Sequence, residues 1–253
     1  FCIWPTDSMN PDGLKNIMNL PADDPQHFNY PTKKINGATI ENASKIQFTD
    51  LVVHSLEQYQ LLVYNIIKNH LLRKNKKNEI GLPFQLLNTL NQTLNIVYPH
   101  ENVNDILELE DREAIDEKIS NTRDINELIG EGGLKKVMDY DSKTNRYSYI
   151  PKFMVTKGEN KYGCFHPKVL SRYSKKISKI CDSIDKSEGI VLVYSQYIYS
   201  GCVPLALALE ERGFGRFETR NTRVAQKNRN LLNAKNKIDR SKGTYIMITG
   251  DNK

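Results

Sequence analysis

Residues 189–214, GIVLVYSQYIYSGCVPLALALEERGF, constrain the fold more than any other stretch. Ile190, Val191, Leu192, Val193 and Tyr194 form a continuous apolar, β-rich run. A run without alternation predicts a strand covered on both faces, as in a parallel sheet. Ser195 and Gln196 follow at its carboxyl end, and a loop continues to Cys202. Pro204 suits the first turn of a helix, where its missing N–H costs nothing. Leu205, Leu207, Ala208 and Leu209 supply a packing face, while Glu210, Glu211 and Arg212 are expected to face solvent. Gly213 is placed to stop the helix. The whole reads as one strand–loop–helix unit of an open α/β sheet, where ligands meet the loops at strand carboxyl ends. Ser195 and Gln196 are therefore the polar groups positioned for a ligand.

Elsewhere the pattern is mostly helical. Residues 1–46 are punctuated by Pro, Asn, Asp and Gly, which suits an extended connector or a disordered tail. A strand is predicted over 51–53, then a helix over 57–72 with Tyr59, Leu62, Val63, Ile66, Ile67 and Leu71 at helical spacing. Arg73, Lys74, Lys76 and Lys77 follow it, as cations favoured at a helix C-terminus or as a nucleic-acid contact. A further helix is predicted over 84–94. Residues 101–128 are acidic and read as an exposed insertion, with Glu110 and Asp111 on a solvated face. Gly130, Gly132 and Gly133 precede Leu134-Lys135-Lys136 rather than the Gly-Lys-Ser/Thr of a phosphate loop, so a plain turn is expected. Residues 141–163 read as a hairpin in which Tyr147, Tyr149 and Phe153 either pack or stack bases.

Residues 167–186 are amphipathic, with Val169, Leu170, Tyr173, Ile177, Ile180, Cys181 and Ile184 on one face. Five cations between Lys168 and Lys179 line the other. Residues 216–240 are strongly basic and irregular, and 245–249 predict a second buried strand. The succession helix, strand, helix, strand is the start of a doubly wound sheet.

Charge and cysteine content narrow the partners. The formal net charge of +6 over 253 residues favours an anionic partner. Cys2, Cys164, Cys181 and Cys202 lack metal-ligand spacing and suit reduced thiols of an intracellular protein. No apolar run approaches the roughly 18 residues of a membrane span, so no membrane partner is expected. The chain lacks an initiator Met and stops just after the run 245–249, which gives the expectation of a piece of a longer protein.

The stretch VYSQ (193–196) followed by PLALALEE (204–211) and Gly213-Phe214 resembles motif IV and the next helix of superfamily-two helicases. The similarity is greatest to the group from nucleocytoplasmic large DNA viruses, which includes poxvirus early transcription factor and nucleoside triphosphate phosphohydrolase-like ATPases. Gln92 with Asn95-Ile96-Val97-Tyr98-Pro99 resembles that group's Q-x-x-N-hydrophobic-P segment between its two RecA-like lobes. Gly133-Leu134 with Val137-Met138 is similar to its later glycine–leucine segment, and 245–251 to the strand before motif V.

The resemblance covers about residues 47–253. It implies an α/β fold: a mainly helical inter-lobe region with an acidic insertion over 47–165, then the truncated start of a second RecA-like lobe, with its parallel sheet, over 166–253. It implies a piece of an ATP-dependent helicase or translocase of viral transcription, with ATP and Mg²⁺ as cofactors bound mainly outside this chain. DNA or RNA is the implied partner, with viral RNA polymerase a further one, in the virus factory, host cytoplasm or virion. Ser195 and Gln196 would contact phosphates, and Arg220 and Arg223, with Lys227 and Arg229, would add electrostatic attraction unless they form a solvated loop. Motifs I, II, V and VI are absent, so no catalytic residue or metal ligand is assigned, and this piece is expected not to hydrolyse ATP. A non-enzymatic subunit binding DNA or polymerase is the alternative, as is an unrelated α/β enzyme.

Overall fold

The computed structural model describes residues 52–75, 84–103, 125–217, 230–233 and 242–250. The chain divides into two compact units after Val53. The first is described only at Val52 and Val53, both exposed and without the strand expected there. All elements below belong to the second.

Helix α1 (Gln58–Asn75) buries Tyr59, Val63 and Ile67, spaced four residues apart on one face. Helix α2 (Phe84–Asn95) packs on it, and buried Gln60 on α1 donates through Nε2 to the carbonyl of Thr93, 3.0 Å away. Residues 96–98 then run through the core without regular secondary structure, with Ile96, Val97 and Tyr98 wholly buried. Their backbone is paired: Val97 N–H donates to Tyr173 O (3.0 Å) and Tyr98 N–H to Leu128 O (2.8 Å). Val103, Ile125 and Leu128 are also core residues. At the two ends of the acidic stretch these apolar residues are thus buried in the core, while Asn126 is exposed and Glu101 and Glu127 stay partly so. Glu110 and Asp111 lie outside the described residues.

The glycine-rich stretch is not a turn but the body of helix α3 (Gly130–Val137). It leads directly into the antiparallel hairpin of β1 (Met138–Asp141) and β2 (Arg146–Tyr149), with Met138 opposite Tyr149. A second antiparallel hairpin joins β3 (Val155–Lys157) to β4 (Asn160–Tyr162). The aromatics of this region pack: Tyr140 and Tyr147 rings lie 4.8 Å apart, and Tyr149 lies 6.2 Å from Phe165.

The amphipathic stretch is two helices, α4 (Pro167–Tyr173) and α5 (Lys175–Lys186), instead of one. Ser174 breaks it. Its Oγ accepts the N–H of Ile177 as an N-cap and donates to Asn95 O at 2.5 Å, which ties the break to the end of α2.

Beyond α5 the predicted strand over 190–194 has no partner strand among the described residues. It carries no regular secondary structure, with Ile190 and Leu192 almost fully exposed. A turn of π-helix, Ile198–Cys202, connects it to α6 (Val203–Glu211), which carries Pro204 in its first turn and wholly buries Leu207 and Ala208. The helix ends as a Schellman motif: Gly213 N–H bonds to Glu210 O (3.1 Å) and Phe214 N–H to Leu209 O (3.1 Å). Gly213 has φ 96°, a left-handed value that costs glycine little.

The parallel pairing that does form is short. Strand β5 (Gly215–Arg216) pairs with β6 (Thr244–Tyr245), Gly215 opposite Thr244. Among the described residues the expected buried strand over 245–249 is paired only through Tyr245, and Ile246 and Ile248 are exposed. The described residues are therefore helices with three small two-stranded sheets, and no wider parallel sheet occurs among them. No helix among them is long and apolar enough to cross a membrane.

Candidate nucleic-acid interface

The loop after 190–194 is held from three directions. Ser200 Oγ donates to Gln92 Oε1 on α2 (3.0 Å) and accepts the N–H of Gly130 at the start of α3 (3.0 Å). Tyr98, from the buried segment 96–98, donates its phenol to Tyr199 O at 2.5 Å. Within the loop, Cys202 N–H donates to Tyr197 O at 2.9 Å. Three elements distant in sequence therefore fix one polar loop.

Ser195 is drawn into that loop. Its Oγ accepts the N–H of Tyr197 (3.1 Å) and donates to Tyr197 O (3.2 Å), a local serine turn. Gly201 lies directly behind it; a Cβ there would overlap the Ser195 hydroxyl. Gln196 is exposed, so its amide is the side chain of the pair that faces solvent. Arg220 and Arg223, with Lys227 and Arg229, lie outside the described residues.

At the far end of α6, the three residues expected in solvent are all engaged. Glu210 is 3% exposed. Its carboxylate accepts the N–H groups of Leu231 (2.7 Å) and Leu232 (2.6 Å) and the hydroxyl of Tyr245. Burial pushes the Glu210 carboxyl above its usual range, opposed by those donors. Tyr149 donates to Glu211 Oε1 at 2.6 Å. Arg212 bridges Asp182 (2.9 Å) and Asp185 (2.6 Å) on α5, and Lys242 also pairs with Asp185 (2.7 Å). Helical periodicity assigned these polar groups to solvent, but their partners come from β2, α5 and the returning segment. No local signal marks such partners.

Leu231 and Leu232 are buried within the stretch read as irregular. Tyr147 N–H donates to Leu231 O (2.6 Å) and Asn233 N–H to Tyr147 O (2.7 Å), so residues 230–233 are clipped between β2 and α6. The doublet Leu-Leu inside a basic run was the available cue.

The glycines of α3 do not fit a nucleotide phosphate. A Cβ on Gly133 would overlap the ring of Tyr98, and one on Gly132 the carbonyl of Asn126. The space is filled by protein, and the glycines serve close packing. Among the described residues there is no group of three or more His, Cys, Asp or Glu able to hold a metal ion. No family model, curated protein or solved structure matches the chain.

Proposed function

We propose that this chain is a piece of an ATP-dependent nucleic-acid helicase or translocase of viral transcription. It would contribute the inter-lobe region and the start of a second RecA-like lobe. The observation that carries this reading is the order along residues 189–250: an apolar run, a polar loop, a Pro-started and Gly-ended helix, then strand β5 parallel to β6. Two further features support it. The runs 190–194 and 246–249 have the composition of strands covered on both faces, yet Leu192 and Ile248 are 93% and 88% exposed. Such side chains belong in a sheet wider than the described pairings. The Gln92–Ser200 bond also joins the inter-lobe resemblance to the motif IV resemblance.

On this reading the chain binds and orients a single strand of DNA or RNA, and any nucleotide chemistry belongs to parts of the protein outside it. Gln196 presents an amide to a phosphate, and Ser195 shapes the loop that presents it. Viral RNA polymerase is the protein partner this reading implies. A second reading is a non-enzymatic binder of DNA or polymerase, which a parent reading frame that keeps the lobes but lacks Gly-Lys-Ser/Thr and Asp-Glu-x-His would support.

Two measurements test the proposal. Fluorescence anisotropy with a labelled oligonucleotide should give affinity that falls steeply with salt. A salt-independent affinity would overturn the electrostatic model. The purified chain should show no ATP turnover, and persistent turnover would overturn the placement of nucleotide chemistry outside it. The flanking reading frame separates the two readings: a phosphate loop and an acidic box there favour the motor.

A further inference from the structure

The cations of α4 and α5 form a surface that the loop around Ser195 does not use. Lys168 and Arg172 stand one turn apart on α4, so they share a face. Arg172 lies over the ring of Tyr59, 5.2 Å from its centroid, at the start of α1. Lys175 pairs with Glu57 at 2.7 Å, and Lys176 donates to Asn95 Oδ1 at 2.8 Å. Lys176, Lys175 and Lys179 all bear on His54, whose imidazole is held below its ordinary pKa by burial first and then by these charges. His54 Nδ1 is enclosed without a hydrogen-bond partner.

The balance of charge is one-sided. Glu57 is in ion-pair range of Lys175, and no carboxylate lies in such range of Lys168, Lys176 or Lys179 among the described residues. Asp182, one turn beyond Lys179, is turned to Arg212. Repulsion among these cations costs stability unless an anion relieves it. At the Lys168 end, the rings of Tyr162 and His166 lie 4.4 Å apart, and the Lys168 ammonium sits 5.0 Å over Tyr162. Cations in series beside an aromatic platform match a polyanion that also carries flat bases.

We infer that the face formed by Lys168, Arg172, Lys175, Lys176 and Lys179, with Tyr162 at its end, is a second binding surface for the phosphate backbone of a single-stranded nucleic acid. This rests on the nucleic-acid reading above and adds a contact that the resemblance does not contain. It also shares a support with the first surface. Helix α2 offers Gln92 to Ser200 and, one turn later, Asn95 to Lys176, so one helix braces both.

The test is anisotropy of a labelled oligothymidylate on the full chain across a salt series. Lys176→Gln with Lys179→Gln should weaken binding roughly tenfold at low salt and flatten the log–log salt slope by about 1.4, the value for two lost phosphate contacts. The control Lys143→Gln with Lys157→Gln removes the same charge elsewhere and should leave the slope near wild type. An unchanged slope in the first variant, or an equal loss in the control, overturns the second surface. Gln196→Ala separates the two claims: if it weakens binding while the lysine variant does not, the first surface stands and the second falls. A wild-type chain that ignores the oligonucleotide but binds phosphatidylserine vesicles overturns both. Circular dichroism on each variant confirms the fold.

Discussion

The phenol of Tyr98 reaches the carbonyl of Tyr199 across 101 residues of sequence and 2.5 Å of space. Tyr98 is wholly buried, and burial raises its phenol well above the usual range, so it stays a neutral donor at any physiological pH. Removing that donor leaves Tyr199 O without this partner while the ring still packs against Phe165, 6.3 Å away. Tyr98→Phe should cost about 1–2 kcal/mol in urea unfolding. It should also speed amide exchange in the loop 197–202, relative to α1.

Glu210 is the anchor of the clip over residues 230–233. Glu210→Ala strands two buried N–H groups and a phenol, and should destabilise the protein by about 2–4 kcal/mol. Glu210→Gln keeps one acceptor oxygen but points an NH₂ at a donor, so it should recover only part of the loss. A protease should then cut both variants faster near 230–233 than the wild type.

Two carboxylates give opposite pH slopes. Glu210 is raised by burial, so its contribution is fully present below the ordinary Glu pKa and is lost as pH rises through its folded value. Asp185 is held low: burial opposes ionisation, but Lys242 and Arg212 outweigh it. Its contribution is present above the ordinary Asp pKa and is lost as pH falls through its folded value. Thermal midpoints across pH should show this directly. Asp185→Asn should flatten the acid limb, and Glu210→Gln the limb above it.

Gln196 and Ser195 should behave differently despite being neighbours. Gln196→Ala should weaken oligonucleotide binding about three- to tenfold, the value of one ordinary exposed hydrogen bond. Ser195→Ala should change affinity little and act on loop order instead, since both hydrogen-bonding roles of its hydroxyl are met by Tyr197. A larger binding loss from Ser195→Ala than from Gln196→Ala would reverse the assignment.

The helices were legible because their signals are local. Tyr59, Val63 and Ile67 carry the period of α1, and Pro204 and Gly213 bracket α6. Less was legible where long-range geometry decides. Gly130, Gly132 and Gly133 read as a turn, yet α3 needs small residues there because Tyr98 and Asn126 approach closely. Ser174 splits the amphipathic stretch by capping α5, a role that its position before Lys175-Lys176-Ile177 permits without announcing. At the site, Ser195 and Gln196 were equivalent in sequence. The turn closed by Tyr197 and Gly201 distinguishes them.

The uncovered runs at 190–194 and 246–249 carry one more consequence. A five-residue segment such as Ile-Val-Leu-Val-Tyr, uncharged and free of proline, is a template for cross-β stacking when its edges are open. Colloidal behaviour should therefore turn on these ten or so residues rather than on the net charge of +6. A single gatekeeper charge at Leu192 would protect the chain from self-association in concentrated solution, at the cost of the sheet that this segment is suited to join.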